Sequence, residues 1–195
     1  MQYLVEKAFV DQQTTDASGC TPLWAASMKG HLPVVQYLTE KAEGKVDGHS
    51  ALIVACEHDH LPVVQYLIEE ADANRVQCGS EVGTSLFWAC SEGHVPIVQY
   101  LIEKAGAKVS ATSRTAGTPL LQACIEGHLA VAQYLVERAG ANVHLSDDDG
   151  DSPLIAACEN GHLSVVQYLI EVANASPLHS DNWGNDCLFG AGRLQ

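Results

Sequence analysis

Gly30-His31-Leu32-Pro33-Val34-Val35-Gln36-Tyr37-Leu38 returns in nearly the same form at Asp59 to Leu67, Gly93 to Leu101, Gly127 to Leu135 and Gly161 to Leu169. The histidines stand at 31, 60, 94, 128 and 162, so successive steps are 29, 34, 34 and 34 residues. A fixed period in the thirties marks a chain built from stacked supersecondary units. Each unit buries its apolar face only against its neighbours, which leaves a long open surface for a partner. The predicted fold class is therefore all-α, an α-solenoid of stacked helix-turn-helix units. One array covers 1–195, with full units near 16–44, 45–78, 79–112, 113–146 and 147–180, and partial units at 1–10 and 181–195.

The fourth unit shows the internal grammar. Thr118-Pro119-Leu120 opens a helix, because Thr suits the N-cap and Pro is tolerated in the first turn, where its missing N–H has no partner anyway. Gly127 ends that helix in a backbone conformation that a β-carbon resists. A second helix begins near His128 and carries Leu129, Val131, Ala132, Leu135 and Val136 as one apolar stripe. The same signals place helix pairs near 21–42, 50–71, 84–105, 118–139 and 152–173. Asp16-Ala17-Ser18-Gly19, Asp147-Asp148-Asp149-Gly150 and Asp181-Asn182-Trp183-Gly184 precede the helix-opening triplets at one offset, and Asp followed by Gly three residues later is turn chemistry. These segments are predicted to project as β-turns or hairpins. The second unit is five residues shorter between Ala42 and Ser50, which predicts a stunted hairpin around Asp47-Gly48.

Thr-Pro-Leu, then Gly-His, then an apolar second helix, Ala-Gly-Ala and a turn together resemble the ankyrin repeat, over essentially the whole chain. Two departures stand out. Trp24, Ile53, Phe87, Leu121 and Ile155 occupy the place of the family's usual His after Thr-Pro-Leu, which predicts an apolar ridge there, and the period is 34 where 33 is common. The resemblance implies that the Gly-His histidines are structural, bonding the backbone of a connecting turn. It also implies that the partner meets the turn tips and the exposed side of the first helices. The ends match only half units, Met1 to Ala8 and Asp186 to Ala191, so the chain reads as a fragment of a longer array or as a protein with weakly protected ends.

Composition narrows the functional classes. With 24 acidic against 10 basic residues and a net charge of −14, the chain is a poor match for nucleic acid or for an anionic membrane surface. No run is long enough to span a bilayer and no secretory leader is visible. Seven cysteines is an odd count, and four of them (Cys56, Cys90, Cys124, Cys158) recur 34 apart. Neighbouring units sit about 8–10 Å apart, beyond disulfide reach, so the ladder is expected to hold unbridged small hydrophobes and to reside in a reducing cytoplasmic or nuclear compartment. Cys20, Cys78 and Cys187 carry no recognisable spacing.

Catalysis, cofactors and metals find no support. A histidine ladder stepping by nearly 10 Å does not converge on one zinc, whose ligands lie about 2 Å away. Cys-His pairs such as Cys90 and His94 recur because the unit recurs, and no phosphate loop is present. The tyrosines at 37, 66, 100, 134 and 168 are assigned to packing. Glu40-Lys41, Glu103-Lys104 and Glu137-Arg138 mix signs as a solvated outer face does. The residues just before each Gly-His or Asp-His form the candidate partner surface: Met28 and Lys29, Glu57 and His58, Ser91 and Glu92, Ile125 and Glu126, Glu159 and Asn160. Asp147, Asp148 and Asp149 add an acidic turn, and Trp183 an aromatic at the next tip. The favoured reading is a scaffold or adaptor for a basic or mixed apolar-basic protein segment. The alternative is a recruiting or regulatory region of a larger enzyme, such as a kinase or ubiquitin ligase component.

Overall fold

The computed structural model describes residues 15, 20–41, 48–70, 82–110, 117–178, 180–184 and 187. The chain divides into two compact units, Met1–Glu81 and Val82–Gln195. The first contains helices α1 (Pro22–Met28), α2 (Leu32–Lys41), α3 (Gly48–Glu57) and α4 (Leu61–Glu69). The second contains α5 (Val82–Ser91), α6 (Val95–Glu103), α7 (Pro119–Ile125), α8 (Leu129–Glu137), α9 (Pro153–Glu159) and α10 (Leu163–Glu171). The described residues contain no extended strand. Within each unit the helices form antiparallel pairs, with first helices stacked on first helices (α1 on α3; α5, α7, α9) and second on second (α2 on α4; α6, α8, α10). This is the predicted all-α repeat solenoid.

Proline decides where a first helix begins. Thr21, Thr118 and Ser152 precede Pro and hold extended ψ values of 159°, 160° and 160°, as the proline ring imposes on its predecessor. That is the N-cap conformation, and their hydroxyls accept from the amides of Trp24, Leu121 and Ile155 at 3.1, 3.1 and 3.4 Å. Ser50 and Thr84 are not followed by Pro. There α3 and α5 start earlier than predicted, at Gly48 and Val82. Gly48 therefore opens a helix and does not sit in a stunted hairpin; Asp47 lies outside the described residues, as do the predicted turn at Asp16–Gly19 and the partial units at Met1–Ala8 and Leu188–Ala191.

First helices end in one recurrent way. The amides of His31, His60, His94, His128 and His162 bond the carbonyls of Ala26, Ala55, Ala89, Ala123 and Ala157 at 2.8–2.9 Å. This six-to-one closure places the residue before each His in the left-handed region, with φ of +78° at Gly127. In the short unit Asp59 takes that conformation at φ +59° without the benefit of glycine.

In each unit the core runs along both helix layers. Leu52, Leu67, Leu86, Ile97, Leu101, Leu120, Leu135 and Leu169 are fully enclosed. The ladder residues Cys56, Cys90 and Cys124 are also fully enclosed, and Ser27 holds the equivalent place in the first full repeat. Burial drives the Cys124 thiol up to about 12 and that of Cys90 further in the same direction. These three cysteines form no disulfide, as predicted. Cys158 departs from the prediction. It is bonded to Cys187, with Cα atoms 5.5 Å apart. Cys187 is not a ladder residue but opens the following half repeat, within the reach that ladder neighbours lack. The compartment argument from unbridged cysteines thereby loses its premise.

The substitutes for the family histidine also split. Leu121 and Ile155 are buried, while Trp24, Ile53 and Phe87 are half-buried, so the apolar ridge is partly core.

Candidate functional site

The ends of the first helices are held by the next repeat's histidine. His60 Nε2 donates to the Met28 carbonyl at 2.9 Å, His128 Nε2 to Ser91 at 2.7 Å, and His162 Nε2 to Ile125 at 2.8 Å. Each ring lies flat against the left-handed glycine of the preceding repeat. A β-carbon at Gly127 would fall 2.5 Å from the Nδ1 of His162. The histidines are structural, but they bond the end of a first helix and not the long connecting turn. Their acceptors are members of the candidate surface, so the fold fixes the backbone from which Met28, Ser91 and Ile125 project.

The side chains of that surface differ in freedom. Lys29, His58, Glu92, Glu126, Glu159 and Asn160 are exposed, and Met28, Glu57, Ser91 and Ile125 half-buried. Several polar members are engaged within the fold. His58 Nδ1 donates to the Val54 carbonyl, Asn160 Nδ2 donates to Ala156, and Ser91 Oγ accepts from Gln122 Nε2 at 3.2 Å. Gln122 also reaches Glu126 Oε1 at 3.3 Å, so it tethers consecutive first helices on the exposed side. In the second unit Glu92 and Glu126 thus share one position just past the helix end, with Glu159 one residue earlier on α9; in the first unit Lys29 takes the former position and Glu57 the latter.

The acidic turn is less available than its composition suggests. Asp147 turns its carboxylate inward and accepts from the amides of Asp149 and Asp151 at 3.0 and 2.9 Å. The loop closes through Asp147 N–H to the Asp151 carbonyl at 3.2 Å. Only Asp148 and Asp149 point to solvent. The next turn lies directly on this one: Asn182 donates its amide to the Asp149 carbonyl at 3.1 Å and its side-chain Nδ2 to Asp148 at 3.0 Å. Asp181 is buried and accepts from the Trp183 amide at 2.8 Å, leaving the Trp183 side chain 68% exposed.

Beneath these turns Asp151 has one carboxylate oxygen buried with no hydrogen-bond partner. Desolvation, then the charges of Glu159, Asp147, Asp181 and Asp149, lift its pKa to about 6. Among the described residues no group of His, Cys, Asp and Glu is arranged to hold a metal ion.

A second ladder escaped sequence reasoning. Tyr134 Oη donates to Glu103 Oε1 at 3.0 Å, and Tyr66 shares a 2.7 Å hydrogen bond with Thr39. Burial followed by the Glu103 bond raises Tyr134 to about 12; burial followed by the nearby Glu137 raises Tyr168 equally. Glu103 and Glu137 are thus not merely members of a solvated face. Their signal was the constant 31-residue offset from Tyr134 and Tyr168.

Family models for ankyrin repeats match residues 1–77 in one case, and residues 86–136 and 120–170 in another. No curated protein matches the chain. No helix among the described residues is long and apolar enough to cross a membrane.

Proposed function

Because the chain belongs to the ankyrin-repeat family, whose members generally serve as protein–protein interaction modules, we propose that it is a scaffold or adaptor for a basic or mixed apolar-basic segment of another protein. The observation that carries this reading is the exposure of Glu92 and Glu126 at equivalent first-helix ends, where His128 and His162 hold the preceding carbonyls of Ser91 and Ile125, with Glu159 exposed one position earlier at the end of α9. Units spaced by about 10 Å match roughly three residues of extended chain. A segment with Lys or Arg at every third position therefore meets successive carboxylates. Met28, Lys29, Glu57, His58, Ser91, Ile125 and Asn160 complete the helix-end surface in their respective units. Asp148, Asp149 and Trp183 extend it at the tips, with Asp147 holding the turn. Exposed ion pairs contribute about 0–1 kcal/mol each, so affinity requires several of them and apolar contact with Ile125 or Trp183.

The test is fluorescence anisotropy with two labelled peptides, one carrying Lys at every third position between apolar residues, the other carrying Glu there. Binding of the first alone, weakening as salt rises, is the expected result. The triple variant Glu92→Lys, Glu126→Lys, Glu159→Lys loses it with unchanged circular dichroism. Equal binding by that variant at low salt rejects the surface.

A further inference from the structure

We propose that Cys158 and Cys187 form a reversible redox latch that fastens the Asp181–Gly184 turn, with the Trp183 side chain it presents, onto the Asp147–Gly150 turn. Cys158 closes the last turn of α9, and Cys187 follows the Trp183 turn by a few residues. The Asp181–Gly184 turn is also joined to the Asp147–Gly150 turn by the pair of Asn182 hydrogen bonds to Asp148 and Asp149. The bond is itself buried, but it anchors the chain a few residues beyond an exposed element.

The remaining ladder cysteines show why only this pair is suited to exchange. Cys90 and Cys124 are fully enclosed and have thiols held protonated by burial, whereas the thiolate is the reactive form. Cys158 and Cys187 are the last ladder position and its neighbour in the terminal half repeat, and both retain slight exposure. Exchange with a low-molecular-weight disulfide such as glutathione disulfide closes the latch. One cysteine thiolate attacks a glutathione sulfur and expels glutathione thiolate; the second attacks the mixed disulfide and expels another. Two electrons pass from the pair to glutathione disulfide, and the two thiol protons end on the glutathione released. Excess dithiol reverses both steps.

The inference concerns how the Trp183 tip is held, and stands whether or not a partner docks there. The native protein is equilibrated with glutathione disulfide or with excess dithiol and followed by hydrogen exchange, with cleavage at Glu159 and Glu171 used to show the cross-linked peptide by mass. Closure is expected to raise protection of the Asn182 amide at least tenfold over the reduced protein, with the amides of Leu135 and His162 unchanged. Cys187→Ser and Cys158→Ala should each exchange at Asn182 like the reduced protein in both buffers, Ala keeping the ladder position apolar if Ser elsewhere proves harmful. Failure to form the cross-link from native protein overturns the latch. So does equal Asn182 protection in both states, or loss of protection at Leu135 on reduction, which would make the bond a prop of the whole unit.

Discussion

Helices α8 and α10 carry almost the same residues, Leu-Ala-Val-Ala-Gln-Tyr-Leu-Val-Glu and Leu-Ser-Val-Val-Gln-Tyr-Leu-Ile-Glu, yet occupy different environments. Helix α8 is packed between α6 and α10; among the described residues α10 has only α8 as a second-helix neighbour. Leu129 is half-buried, while its counterpart Leu163 is 67% exposed; Val136 is half-buried, while Ile170 is 37% exposed. In a stack, then, burial belongs to the interface and not to the residue. One position breaks the likeness: Glu70, Lys104 and Arg138 give way to Val172, which is 59% exposed.

The largest effect that tests this comparison is truncation on its two sides. Leu135→Ala should lower the free energy of urea unfolding by about 2–5 kcal/mol, because it leaves a cavity between layers. Leu163→Ala should change it by less than about 0.5 kcal/mol. A comparable loss at Leu163 would mean that the outer face of α10 is covered in solution, which repeating the measurement across protein concentrations would expose.

A neighbour's contribution is next isolated by two glycines of similar φ, +78° at Gly127 and +70° at Gly140. A β-carbon at Gly140 meets nothing within 4 Å, but at Gly127 it strikes the His162 ring. Gly140→Ala should cost about 1–2 kcal/mol for the left-handed backbone alone. Gly127→Ala should cost about 1–3 kcal/mol more for displaced packing. Equal costs in thermal melts would show that the ring moves aside freely.

Smaller still is Tyr134→Phe, which removes the hydrogen bond to Glu103 and should cost about 0.5–1.5 kcal/mol. Adding Glu103→Gln should then matter little, and a full second loss would deny the coupling. The effect at Asp151, beneath the two stacked turns, depends on pH. Its folded pKa, near 6, exceeds the ordinary value of 3.8, so the folded state holds a proton that the unfolded chain has released. Its stabilising contribution is complete below about pH 4 and disappears as pH rises through 6. Asp151→Asn should therefore melt above the parent at pH 7 and close to it at pH 4; the reverse order would refute the assignment.

Most of the frame was legible because the Gly-His step, the Pro-led caps and the apolar stripes act within a dozen residues, where chain chemistry and local conformation are tightly linked. What stayed hidden depends on how one repeat meets the next. Sequence spacing kept ladder cysteines apart, yet said nothing of Cys187, which reaches Cys158 from outside the ladder. Tyr134 looked like packing because its ring is buried, and only the docked neighbour supplies Glu103 as acceptor. Asp147, Asp148 and Asp149 read as one acidic turn, but Asp147 closes that turn from within and Asp151 lies under it. The exposed helix ends were the readable part of the candidate site, since the residue before a left-handed glycine points away from the pair it terminates.

The histidine rung spans 32 residues from Met28 to His60, in the shortened repeat, and 37 from Ser91 to His128 and from Ile125 to His162, with lengths of 2.9, 2.7 and 2.8 Å. Five residues can thus vanish from a connecting loop without disturbing the bond that joins one repeat to the next. Loop-closure entropy grows only slowly with length, so additions there are also tolerated thermodynamically. The tips can consequently be lengthened, shortened or recharged, changing what the array presents, without touching the glycine, the histidine and the carbonyl between them.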